Sequence, residues 1–158
     1  MQTTETPGDY LYEATQLLIA GETNAALKYF VTAAAAGDVD GQVNAGYCFE
    51  TGTGTWRSNS QAQHWYRAAI QQRSGAAAFN LATMHRDRRN TRGAIYWFQR
   101  AISFGDDTAG LELGRLYLDQ LKQRGRALAC LRRTVRGKFL APDSLYEAQQ
   151  LIRRNRGG

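Results

Sequence analysis

A short pattern recurs four times along this chain, at steps of thirty-six, thirty-two and thirty-three residues. It consists of a small residue, two adjacent bulky ones ending four positions on, and a second small residue three further. The copies read Ala26, Tyr29, Phe30, Ala33; then Ala62, Trp65, Tyr66, Ala69; then Ala94, Trp97, Phe98, Ala101; then Ala127, Cys130, Leu131, Thr134. At 3.6 residues per turn the small residue, the second bulky one and the later small one share one helix face. A recurrence of this length restricts the chain to stacked helical units, none of which can bury its apolar face alone.

Each copy is preceded by the pattern of another helix: Tyr10, Ala14 and Leu17, then Gly41, Ala45, Gly46, Cys48 and Phe49, then Ala77, Leu81, Ala82, Met84 and His85, then Ala109, Leu113, Gly114, Leu116 and Tyr117. Small residues at Ala14, Gly46, Ala82 and Gly114 are expected to face Ala26, Ala62, Ala94 and Ala127, letting the two helices of a unit approach closely. The only prolines are Pro7 and Pro142, so nothing obliges a break between them. Ala141-Pro142-Asp143-Ser144 opens one more helix, with Leu145, Ala148, Leu151 and Ile152 on a common face and Arg153, Arg154 and Arg156 at its C-terminal end. The expected fold is all-α, a right-handed α-solenoid of four helix–turn–helix repeats in one domain, over residues 8–37, 40–72, 75–105 and 107–138, with a capping helix over 142–154.

The units resemble tetratricopeptide repeats and, more narrowly, the Sel-one-like repeat. The second carries that signature most fully, in Gly46, Phe49, Gly52, Gly54, Ala62, Trp65, Tyr66, Ala68 and Ala69, with a long loop from Thr51 to Ser60. The first and third have the short turns of ordinary tetratricopeptides, and the resemblance covers roughly residues 9–138. It implies a protein-binding module whose first helices line a concave groove. Carried over position by position, the groove residues are Leu11 and Thr15, then Val43, Asn44 and Tyr47, then Phe79, Asn80, Thr83 and Arg86, then Leu111, Arg115 and Asp119. Asn44 and Asn80 resemble the asparagines of the family's carboxylate clamp, but Val43, Phe79 and Leu111 stand where a clamp needs Lys or Arg. A chaperone tail is therefore not the expected ligand.

Charge is divided along the sequence. Residues 1–56 hold seven acidic side chains against Lys28 alone, a balance of −6, whereas residues 57–158 hold nineteen basic and seven acidic, +12. In a stack that follows sequence order this separates an acidic from a basic end, and weak self-association is expected from it. Arg86, Arg88, Arg89 and Arg92 form the densest basic cluster, and Arg88, Arg89 and Arg92 are a second candidate patch for an acidic segment. Nucleic acid is disfavoured, because aromatic interleaving and a nucleic-acid motif are both lacking.

No catalytic constellation stands out, so the chain is expected not to be an enzyme, with no cofactor, no metal and no small-molecule substrate. His85 occupies the slot of Phe49 and Tyr117 and is expected to pack, and His64 is expected to face solvent. Cys48 and Cys130 lie far apart on apolar faces and are expected to be buried reduced thiols. Glu5 and Asp9, with no early Lys or Arg, do not fit a secretory leader, and no run of about 18 apolar residues could span a membrane. A cytoplasmic, bacterial-type adaptor or scaffold is expected, whose partner presents an acidic and apolar segment. The alternatives are a dedicated one-partner protein, such as an immunity protein or a secretion chaperone, and an enzyme of unknown type.

Overall fold

The computed structural model describes residues 6–137 and 140–155, which form nine α-helices and no strand. They are α1 (Pro7–Ile19), α2 (Thr23–Ala35), α3 (Val39–Thr51), α4 (Asn59–Gln71), α5 (Gly75–Asp87), α6 (Thr91–Ser103), α7 (Thr108–Asp119), α8 (Arg124–Val135) and α9 (Pro142–Arg154). The chain divides into two compact units, one up to Asn80 and one from Leu81, with the division inside α5. Arg156 and the closing Gly157-Gly158 lie outside the described residues, as does Lys138 at the expected end of the fourth repeat.

At α1, α3, α5 and α6 a side chain takes up a backbone N–H that lacks an intrahelical partner. Thr6 and Asp9 exchange side-chain and backbone hydrogen bonds in a capping box ahead of α1, where Pro7 occupies the first turn. The Asp38 carboxylate accepts from Gly41 N at 2.7 Å, Asn90 Oδ1 accepts from Gly93 N at 3.0 Å, and Ser74 Oγ accepts from Ala77 N at 3.2 Å. Gly52 ends α3 with φ of 82°, a left-handed conformation that costs a residue without a Cβ nothing.

In the first unit α1 packs on α2, α2 on α3, and α3 on α4. Ala14, Ala26, Leu27, Phe30, Ala34, Ala45 and Cys48 make one core cluster, against which Leu11, Leu17, Tyr29, Phe49 and Trp65 lie half-buried. Trp65 belongs to the second repeat and packs on a cluster built largely from the first, which is how one repeat covers the apolar face of the one before. The start of α3 presses directly on the end of α2: a Cβ on Gly41 would stand 2.8 Å from Ala34 N. Beside it the buried Gln42 donates to Ala34 O at 3.3 Å, and Gln72 donates to both Gln42 Oε1 and Gly37 O. These bonds tie the end of α4 to the α2–α3 turn.

At two of the four expected small-residue pairs, the first-helix glycine meets a bulky residue of the second helix. Gly46 faces the ring of Tyr66, one turn beyond Ala62, and a Cβ there would lie 2.6 Å from Tyr66 Cε1. In the second unit Gly114 stands in the same relation to Leu131, at 2.7 Å from Cγ. The glycine of the first helix therefore makes room for the bulky residue of the second, while Ala62 and Ala127 are buried on their own account. The adjacent bulky residues divide their work: Phe30, Tyr66, Phe98 and Leu131 are buried, whereas Tyr29, Trp65, Trp97 and Cys130 are half-buried.

In the second unit α6 packs on α7, α7 on α8, and α8 on α9. Leu111, Leu131, Ala148 and Ile152 form its terminal cluster, so α9 covers the apolar face of the α7–α8 pair. His85 is half-buried, with its ring over Gly93, where a Cβ would stand 2.5 Å from Nδ1, and with Nδ1 3.0 Å from the Asn90 amide. It is a packing residue with a polar tie to the cap of α6.

Candidate partner-binding site

In the first unit, α3 carries Val43 and Asn44 half-buried and Tyr47 exposed, with 54% of its surface open. Tyr47 lies one helical turn beyond Asn44 and Val43, so the three share a face. On the start of α5, Phe79 and Asn80 are half-buried. Asn80 is engaged by Tyr66, whose buried hydroxyl donates to Glu50 Oε2 at 2.7 Å and also meets the Asn80 side chain. Burial, with Glu50 beside it, pushes the Tyr66 hydroxyl far above the ordinary range, so it serves as a permanent donor. On α1, Leu11 is half-buried and Thr15 is exposed, its hydroxyl turned back to Leu11 O at 2.8 Å.

In the second unit the arginines of α5 and α7 are ion-paired. Arg86 Nη1 lies 2.8 Å from Glu112 Oε2 and its Nε 3.2 Å from Asp87 Oδ1. Arg115 bonds Glu112 on its own helix and reaches Glu147 of α9, with Nε 2.9 Å from Oε1. The bond to Glu147 raises the Arg115 pKa further, against the opposing effect of burial. Arg86, Glu112, Arg115 and Glu147 thus alternate in sign across α5, α7 and α9 and cancel in charge. Leu111 is 5% exposed and belongs to the terminal core, which removes it from the residues a partner could touch. Thr83 is half-buried and Asp119 is exposed.

Arg88, Arg89 and Arg92, at the α5–α6 turn, are all exposed and make no ion pair among the described residues. Arg89 holds a left-handed backbone, φ 58°, where glycine or asparagine is the usual occupant. Exposed apolar side chains supply surface that the repeat pattern left out: Tyr12, Leu18, Ile19, Trp56, Tyr96 and Tyr146. Trp56 is 92% exposed at the tip of the long loop of the second repeat. Its neighbour Gly54 runs against Thr23 O at the start of α2, an approach no side chain would allow. The pattern-breaking length of that loop was the signal in the sequence.

Neither thiol is poised for chemistry. Cys48 is buried and Cys130 half-buried, both are free, and burial raises both pKa values. His64 is exposed, edge-on to Trp65. Among the described residues no three His, Cys, Asp or Glu side chains are grouped to hold a metal, and no helix is long and apolar enough to cross a membrane.

Paired helices whose repeat positions are spent on packing, with aromatics left on the surface, define an α-helical repeat protein. The chain belongs to the Sel1 repeat family, whose model matches residues 22–38, 39–74 and 75–106. Repeats of this family are generally protein-interaction scaffolds. The match stops before α7, yet α7 and α8 pair as the earlier helices do. No curated protein matches the sequence. Among solved structures, a Sel1 repeat protein from Oxalobacter formigenes is similar over 96% of this chain and 74% of its own, with 21% identity and a TM-score of 0.68. The c5321 protein of uropathogenic Escherichia coli, a protective antigen with an SLR fold, is similar over 95% of this chain but 38% of its own, with 14% identity and a TM-score of 0.72. MamA is similar over 96% of this chain and 86% of its own, with 18% identity and a TM-score of 0.62. These likenesses establish a shared solenoid fold.

Proposed function

We propose that this chain is a non-catalytic adaptor, its repeats forming one interaction domain that binds a segment of another protein on the first-helix face of α3, with Tyr47 as the apolar anchor. The observation that carries the reading is the exposure of Tyr47 beside Asn44 on a helix whose other face is fully packed. Tyrosine is among the residues that most often dominate binding energy, since a rigid ring offers apolar area and a polar tip at small entropic cost. Val43 and Asn44 supply the flanking surface, while Asn80, held by Tyr66, contributes shape and little free hydrogen bonding.

The acidic part of the expected partner has no anchor at Arg86 and Arg115, whose charges are answered by Glu112 and Glu147. Arg88, Arg89 and Arg92 are exposed cations that carboxylates of the partner could meet. A photo-reactive phenylalanine analogue placed at position 47, and separately at exposed Tyr96 as a control, tests the reading in the native host. A specific protein adduct from position 47 and none from position 96 is expected. Adducts from position 96 alone would move the site off α3.

A further inference from the structure

We propose that copies of this chain associate head to tail, with the outer face of α1 from one copy seated in the cleft between α8 and α9 of the next. The cleft has a volume of about 510 Å³ and is lined by Arg132, Val135 and Arg136 from the end of α8 and by Gln149, Ile152 and Arg153 from α9. Its floor is apolar, with Ile152 buried and Val135 half-buried. Its rim is cationic: Arg132, Arg136 and Arg153 are exposed and make no ion pair among the described residues. Cations at helix C-termini are favourable by themselves, which accounts for their presence. It does not account for three of them around an apolar floor that no carboxylate lines.

The complementary surface is on α1 of the same chain. Tyr12 and Ile19, seven residues apart on one helix face, are 64% and 77% exposed. Asp9 and Glu13, four apart on the adjoining strip, are exposed as well. Two large apolar side chains flanked by two carboxylates match a floor of Val135 and Ile152 rimmed by three guanidinium groups, which suit carboxylates in geometry. A contact between two different surfaces of one chain is heterologous, so it leaves a free face on each end and the assembly can grow. The segment that carries α1 is net acidic, −6 over residues 1–56, and the one that carries α8 and α9 is net basic, +12 over 57–158, so long-range attraction favours this pairing of surfaces. This association is independent of Tyr47, and its failure would leave the α3 site standing.

Sedimentation of the full chain over a concentration series, at low and at high salt, tests the proposal with two variants. The head variant is Glu13→Arg with Ile19→Ser, and the tail variant is Arg132→Glu with Arg153→Glu, both of exposed residues; Arg132→Gln with Arg153→Gln is the milder form should the reversal unfold α8 or α9. Expected at low salt are a wild type whose mass rises with concentration, two variants that stay monomeric, and a dimer but nothing larger when the variants are mixed. High salt should return the wild type to monomer. A wild type monomeric throughout would overturn the proposal, as would assemblies that persist in both variants or a mixture that stays monomeric. A poly-glutamate peptide bound at the cleft of a monomeric wild type would equally overturn it, by assigning the cleft to a different partner.

Discussion

The ring of Tyr66 lies against the bare backbone of Gly46, where a Cβ would stand 2.6 Å from Cε1 and 2.7 Å from Cδ1. Tyr66 is fully buried and tied through its hydroxyl to Glu50, so it cannot swing away. Gly46→Ala should therefore destabilise the protein by about 1–3 kcal/mol, the overpacking cost outweighing the gain in helix propensity. Gly125 is the contrasting case, in α8 with nothing within 4 Å of its absent Cβ. Gly125→Ala should stabilise by about 0.5–1 kcal/mol. Urea unfolding of the two variants beside wild type measures both signs.

The two bulky residues of each second helix should differ in weight. Phe98 is fully buried, and Phe98→Ala should cost about 3–5 kcal/mol. Trp97 is half-buried, with its ring 4.9 Å from that of exposed Tyr96, and Trp97→Ala should cost less despite deleting more atoms. Equal losses in thermal unfolding would mean that the tryptophan is buried as deeply as the phenylalanine.

Alkaline pH should destabilise the fold through Tyr66. Its hydroxyl titrates far higher folded than unfolded, so the neutral form is favoured by folding. Stability from this group is fully present below about pH 10, the unfolded tyrosine value, and falls as pH rises past it, because the unfolded chain releases a proton the folded one keeps. Cys48 and Cys130, also raised by burial, add a fall of the same sign from about pH 8.5. Tyr66→Phe should lose about 1 kcal/mol at neutral pH with the hydrogen bond to Glu50, then show a shallower decline than wild type above pH 10 or so. Chemical unfolding of both proteins across pH 7–11 or so checks the slopes.

Glu112 sits between Arg86 and Arg115 and bonds both. Glu112→Gln would leave two half-buried cations facing a neutral amide, at a cost of about 1 kcal/mol, and salt should shrink the difference from wild type. Unfolding at low and high ionic strength measures it. A salt-independent difference would assign the loss to packing.

Much of the fold was legible because its signals are local. The recurrence of Ala, bulky pair and Ala sets each second helix, Pro142 marks the start of α9, and the glycine at Gly52 marks where α3 ends. Less was legible of what faces what. Gly46 and Ala62 are both small and both repeat, and nothing in their spacing says that Gly46 meets Tyr66 instead. The ion pairs of the arginines are hidden in the sequence for the same reason. Arg86 is twenty-six residues from Glu112, and Arg115 is thirty-two from Glu147, so the pairs that cancel their charge arise only when α5, α7 and α9 come together. The slot of Leu111 is a groove position by repeat spacing, but with α9 packed over it the same slot becomes core.

Tyr47, and not Arg86 or Arg115, is the residue we propose carries partner binding. Calorimetric titration of the partner captured from position 47, against wild type and single variants of confirmed helicity, tests it most directly. Tyr47→Ala should weaken binding by about thirtyfold, or about 2 kcal/mol, while Arg86→Gln and Arg115→Gln stay within about twofold of wild type. Native affinity in Tyr47→Ala, with large losses in the two arginine variants, would contradict the account.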